Sequence, residues 1–150
     1  MITNRLELCF RSDLFQLKKA LDDTINFFKE NIPDLPREDF MELKLIYSEL
    51  LRNAMVHGNG MDPTKQVHLS AEIASNNIYS SVADEGSGFD YSIYLSNLQA
   101  KQDLYSETGR GIQLVLGLTD SVSFNKAGNQ ITFYKRVKGW NETRKKSKWI

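Results

Sequence analysis

The order of patterns along this chain predicts an α+β fold, with helices covering one face of a mixed, mostly antiparallel sheet. Three observations carry the prediction. Alternating and helix-periodic segments follow one another as strand, two helices, two strands, helix and two strands, unlike the strict βα alternation of a doubly wound sheet. Asparagine- and glycine-containing turns join the later strands into two hairpins. The 150 residues contain no internal repeat or low-complexity run, and their number suits one compact domain with a single core.

The first strand is Arg5-Leu-Glu-Leu-Cys-Phe10, with Leu6, Leu8 and Phe10 on one face, and Cys9 is expected to be a small packed residue rather than a nucleophile. Ser12 or Asp13 caps a helix whose apolar residues Leu14, Leu17, Leu21, Ile25 and Phe28 recur at helical spacing, and Pro33 and Pro36 close it. A second helix runs from about Glu38 to His57, with Leu43, Tyr47, Leu50 and Ala54 as its apolar stripe, and Gly58-Asn59-Gly60 stops it. Val67, Leu69, Ala71 and Ile73 alternate, Asn76-Asn77 turns the chain, and Ile78, Ser80, Val82 and Asp84 alternate again. A polar segment from Tyr91 to Thr108 is longer than most connections. Gly109-Arg110-Gly111 opens a helix over Ile112 to Thr119, and strands near 121–124 and 130–137 flank a turn at Ala127-Gly128-Asn129.

Composition narrows the function classes. With 41% hydrophobic and 25% charged residues and no apolar run near the roughly 20 residues of a membrane span, the pattern is that of an ordinary globular domain and predicts no membrane partner. The formal charge of +0 gives no overall field toward nucleic acid. Basic residues from Lys135 and Arg136 to Lys148, with Trp140 and Trp149 among them, crowd the C-terminal end, where a solvated tail over 139–150 is favoured over an RNA-gripping one, leaving 1–138 as the domain. A single cysteine allows no internal disulfide, and Met1-Ile-Thr-Asn-Arg-Leu lacks an export-like pattern, so a cytoplasmic location is expected.

Three places gather chemistry. Glu49 and Asn53 are four residues apart, so they stack on one helix face at the flank of the apolar stripe. A carboxylate there can accept a proton and a carboxamide oxygen can ligate Mg2+, while a solvated helix edge is the plainer reading. Asp84 shares the packed face of its strand, where a carboxylate needs a donor such as an adenine amine, with Gly86 and Gly88 allowing close approach. Alternatively it only opens a turn by bonding the backbone of Gly86. Gly109-Arg110-Gly111 at a helix start suits phosphate oxygens, with Arg110 as a charged contact. The chain has no P-loop, His-Arg-Asp or Asp-Phe-Gly motif.

In this order, Glu49-Leu-Leu-Arg-Asn53-Ala54 with His57-Gly58, Asp84-Glu85-Gly86-Ser87-Gly88-Phe89, and Thr108-Gly109-Arg110-Gly111-Ile112 resemble the N, G1 and G2 boxes of the GHKL ATPase superfamily. The wording of the boxes looks most like the bacterial anti-sigma factor serine-protein kinases. The resemblance implies a Bergerat ATP-binding fold, a two-layer sandwich holding ATP and Mg2+ between sheet and helices under a lid over 91–108. It implies Asn53 as metal ligand, Glu49 as general base, and Asp84 as acceptor from the adenine amine. Gly86 and Gly88 would lie beside the base, Thr108, Gly109, Arg110 and Gly111 at the phosphates, and Thr132 near the base. It further implies a protein-serine kinase and anti-sigma factor that phosphorylates a STAS-like anti-anti-sigma partner, sequesters a sigma factor and forms a homodimer. The alternative is an ATP-gated binding protein that lacks a sigma target or transfers no phosphate.

Overall fold

The computed structural model of the chain describes residues 3–88 and 107–137. Its elements are β1 (Thr3–Arg11), α1 (Leu14–Asn31), α2 (Arg37–Arg52), a π-helical turn (Asn53–Gly58), β2 (Gln66–Ala74), β3 (Asn77–Ala83), α3 (Glu107–Leu118), β4 (Ser121–Phe124) and β5 (Gln130–Arg136). The five strands form one sheet in the order β1-β2-β3-β5-β4. Each of the four pairings is antiparallel, so no mixed pairing occurs among the described residues. The predicted α+β sandwich is therefore correct, and its sheet is simpler than expected.

Alternation fixes which side of the sheet is covered. Val67, Leu69, Ala71 and Ile73 on β2, Ile78, Ser80 and Val82 on β3, and Ile131, Phe133 and Lys135 on β5 are buried under the helices. Cys9, on the opposite face of β1 from Leu6, Leu8 and Phe10, is exposed and donates its thiol to Gln66 Oε1 at 2.9 Å. It is not the packed residue the sequence suggested, because the alternation that turns Phe10 inward turns Cys9 outward.

Asp13 caps α1, with Oδ1 accepting from the Gln16 N–H at 2.8 Å, and Ser12 is spent elsewhere, donating to the Lys65 carbonyl at 2.9 Å. Leu14 departs from the expected apolar stripe and is exposed together with Phe15. The β2–β3 turn is Ser75-Asn76, one residue earlier than predicted, with Ala74 paired to Asn77 and Ser75 at φ 58°. Glu38 and Asp39 in the first turn of α2 complement the positive end of its dipole.

The core centres on α2. Leu43, Ile46, Tyr47 and Leu51 are fully buried, and the Tyr47 ring lies 5.6 Å from Phe28 of α1 and 5.5 Å from Phe133 of β5. The Tyr47 hydroxyl donates to Ser80 Oγ at 2.7 Å, and the Ser80 hydroxyl donates in turn to the Ser70 carbonyl at 2.6 Å. Burial pushes the Tyr47 phenol far above its ordinary range, so it is a neutral donor at every working pH.

Lys135, counted with the basic C-terminal end by sequence, is instead buried. Its ammonium binds Glu42 of α2 at 2.8 Å and the Leu118 carbonyl at the end of α3 at 2.7 Å. The residues of the tail over 139–150 lie outside the described residues. Replacing Tyr47 by Phe removes one buried donor while Ser80 keeps its bond to Ser70, so the expected loss is about 1 kcal/mol in urea unfolding. A loss under ~0.3 kcal/mol would mean that this hydrogen bond does not join the layers.

Candidate functional site

Where α2 ends, its hydrogen bonding widens. The Asn53 N–H still reaches back to Glu49 and Leu50, but the Asn59 N–H donates to the Ala54 carbonyl five residues back at 2.8 Å. This turn replaces the last part of the single helix expected up to His57. The extra residue advances the chain around the axis and brings Gly58 against β3, where a Cβ on Gly58 would collide with the Asp84 carboxylate. Only a glycine permits this approach.

One pocket opens between the layers here. Leu50, Asn53 and Ala54 line it from the helix, Val82 and Asp84 from β3, and Ile112 from α3. Asn129 and Ile131 complete it. The structure thus brings together Asn53 and Asp84, which the sequence separates by 31 positions.

Glu49 is half-buried on the last turn of α2, and Asn53 is 7% exposed. Among the described residues, neither Oδ1 nor Nδ2 of Asn53 has a hydrogen-bond partner. Gly111 of α3 faces both residues: a Cβ there would lie 2.5 Å from Glu49 Oε2 and 3.4 Å from Asn53 Nδ2. A solvated helix edge is therefore the wrong description of this pair.

Asp84 follows β3, its N–H donating to the Asn129 carbonyl at 2.9 Å. Its Oδ1 accepts the Gly86 N–H at 2.8 Å, so the turn-forming bond and the pocket-facing carboxylate coexist. Burial raises the Asp84 pKa above the ordinary carboxylate range, against the lowering pull of the Gly86 N–H and of Lys65. Gly86 packs against the Gly58 carbonyl, and Gly88 takes φ 79° beside the Ala127 carbonyl of the β4–β5 turn. That turn is shaped by Asn125, whose Oδ1 accepts from the N–H groups of Gly128 at 2.9 Å and Asn129 at 3.0 Å.

The remaining expectations fare differently. Helix α3 starts at Glu107, so Thr108, Gly109 and Arg110 form its first turn instead of a loop before it. Neither glycine terminates the helix, because each costs only about 1 kcal/mol inside one. The side chains of Thr108 and Arg110 lie outside the described residues, as do residues 91–106 of the lid expected over 91–108, whose last two positions belong to α3. Thr132 is not brought to the site: it is exposed on the outer face of β5, opposite Ser81 and Ser123, while its neighbour Ile131 lines the pocket. Sequence reasoning assigned Asn129 only to a turn and Asn59 only to a helix stop. The recurrence of asparagine at both places was the signal available.

The donor set fits Mg2+. A buried carboxamide with an unpaired oxygen is a neutral hard ligand. Mg2+ commonly keeps waters and phosphate oxygens as its other ligands, so a single protein ligand is compatible with it.

Asn53 and Asp84 each carry a stability prediction. Asn53→Leu replaces an orphaned carboxamide by an apolar group of similar size, and a gain of about 1 kcal/mol is expected in the ligand-free protein. Equal or lower stability in urea titration would show that Asn53 is satisfied in solution. For Asp84, the folded protein holds its proton to higher pH than the unfolded chain, so stability falls as pH rises through and above the ordinary carboxylate range. Asp84→Asn, which can keep the Gly86 bond, should be more stable than the parent near neutral pH, with the gap closing at acid pH. A gap independent of pH would overturn this.

Comparison with known proteins agrees with the architecture. Residues 10–135 match the histidine kinase-like ATPase domain. The anti-sigma F factor of Shouchella clausii (strain KSM-K16) is 32% identical over 106 residues, covering 70% of this chain and 67% of that protein. The anti-sigma F factor of Anoxybacillus flavithermus (strain DSM 21510 / WK1) is 24% identical over 107 residues, covering 67% of this chain and 70% of its own length. That of Geobacillus sp. (strain WCH70) is 26% identical over 106 residues, covering 66% and 68%. With a domain match over most of its length and its three sequence boxes in order, the chain belongs to the histidine kinase-like (GHKL) ATPase family.

Proposed function

We propose that this protein is an Mg-ATP-dependent protein-serine kinase and anti-sigma factor, which phosphorylates a STAS-like anti-anti-sigma partner and sequesters a sigma factor. Family membership supports ATP binding, and the relatives named anti-sigma F factor support partner switching. The observation that carries the kinase reading is the seat of Glu49. Its carboxylate lies against Gly111, in the α3 segment that carries Gly109 and Arg110, and one helical turn from the unpaired Asn53. A protein that only bound nucleotide could keep Asp84 and Asn53 and dispense with a carboxylate there.

In this reading Asp84 accepts from the adenine amine, Gly86 and Gly88 lie beside the base, and the α3 start with Thr108, Gly109, Arg110 and Gly111 takes the phosphates. Asn53 is the protein ligand of Mg2+, which supplies charge neutralisation at the phosphates. Glu49 takes the proton of the acceptor serine hydroxyl as its oxygen bonds to the γ-phosphorus. The bond from that phosphorus to the β-phosphate oxygen breaks and ADP leaves. Catalysis is then mostly alignment, which the layers provide. Nucleotide state biases which partner is held through a coupling free energy between site and surface. Homodimerisation belongs to the same proposal, with the outer sheet face around exposed Tyr79 as a surface open to it. The same reading places the chain in the cytoplasm; no helix among the described residues is long and apolar enough to cross a membrane.

Labelled ATP and the STAS-like proteins of the same genome provide the test. Transfer to a serine of one of them is expected, and Glu49→Ala should lower it by about two to four orders of magnitude with ATP affinity within about twofold. ATP-dependent partner binding with no transfer would replace the kinase by a nucleotide-gated binding protein. Near-parental transfer by Glu49→Ala would remove Glu49 as the base.

A further inference from the structure

Asn59 follows the π-helical turn and is 3% exposed. Its carboxamide is fully used: Nδ2 donates to Ser12 Oγ at 2.9 Å and to the Gln66 carbonyl at 2.9 Å, while Oδ1 accepts the Glu85 N–H at 2.7 Å. These partners fix its orientation. Exchanging Oδ1 and Nδ2 would set two donors against each other at Glu85 and two acceptors at Gln66.

The residues it holds are the ones around Asp84. The Asp84 N–H is tied to Asn129 and the next N–H, that of Glu85, is tied to Asn59. The Glu85 side chain in turn accepts from the Gln66 N–H. Gly58, the neighbour of Asn59, packs on the Asp84 carboxylate itself. The turn that aims Asp84 into the pocket is thus fastened from behind by Gly58-Asn59.

We propose that Asn59 is a positioning residue which holds the Asp84 carboxylate in line for a purine amine and thereby sets the preference for adenine over guanine nucleotides. The proposal rests on Asp84 as the base-recognition residue. Adenine presents a donor where guanine presents a carbonyl oxygen, and a carboxylate attracts the first and repels the second. Both effects require the carboxylate to be held in place. If the turn is free to swing, attraction and repulsion weaken together and the ratio of affinities narrows. A role in stability alone would leave that ratio unchanged.

Dissociation constants for Mg-ATP and Mg-GTP on the full chain test this, with thermal melting as the fold control. Asn59→Ala should narrow the ATP-to-GTP preference by about tenfold. Asn59→Asp keeps an acceptor for the Glu85 N–H and should hold the preference within about twofold, while melting earlier for want of the donors to Ser12 and Gln66. If Asn59→Ala does not fold, Asn59→Ser, too short to reach Glu85, is read in its place. An unchanged preference in the Ala or Ser variant, or an equal loss in the Asp variant, overturns the positioning role. Asp84→Ala separates the two levels. Collapse of the preference in Asp84→Ala without collapse in Asn59→Ala overturns only Asn59, whereas an unchanged preference in Asp84→Ala overturns base recognition and this proposal with it.

Discussion

The buried hydrogen bond from Tyr47 to Ser80 is the point from which the rest of the site is measured. It pins the middle of α2 to the middle of β3, and from it both elements run toward the pocket. Six residues along the helix lies Asn53, a rise of about 9 Å, and four along the strand lies Asp84, a rise of about 13 Å. Their side chains meet in one pocket because the helix and the strand start from a shared point and head the same way. The aromatic contacts of Tyr47 with Phe28 and Phe133 make that point rigid by packing it from both neighbouring elements.

Around this rigid centre, the polar groups divide into two kinds. Asn59 and Lys135 are buried and find partners inside the protein. Asn53 is buried and finds none, and Asp84 is partly buried with its carboxylate turned to the pocket. A fold selected for stability alone would pair or remove such groups. Asn53 and the Asp84 carboxylate line the pocket, while Asn59 and Lys135, outside its lining, are satisfied, which is the distribution expected where stability is given up for binding.

Much of this was legible in the sequence, for local reasons. Helical and strand periodicity located each element, the four-residue spacing put Glu49 and Asn53 on one face, and alternation put Asp84 on the packed side of its strand. The same rule places Thr132 outward next to inward Ile131, so its exclusion from the site was readable too. What was not legible depends on distant partners. The pairing of Lys135 with Glu42 joins residues 93 positions apart, and nothing local marks that lysine as buried. The π-helical turn has no signature in Asn-Ala-Met-Val-His-Gly, because tertiary packing, not propensity, decides where a helix widens. The start of α3 at Glu107 was hidden by two glycines whose cost the surrounding structure absorbs.

Besides their shared apolar core, the two helices that frame the pocket meet at two polar places, and the spacing of those places connects a distant ion pair to the site. At one end Lys135 joins Glu42 of α2 to the Leu118 carbonyl of α3. At the other, Gly111 of α3 lies against Glu49 of α2. Glu42 to Glu49 and Gly111 to Leu118 are both seven residues, two helical turns or about 10 Å, traversed in opposite directions. Two antiparallel helices clamped at one end by a buried charge keep the same facing residues in register two turns away, since seven residues return nearly to the same face. The close approach of Gly111 to the Glu49 carboxylate thus needs the missing side chain, and the lysine at the far end of both helices acts with the apolar core between them to keep that register.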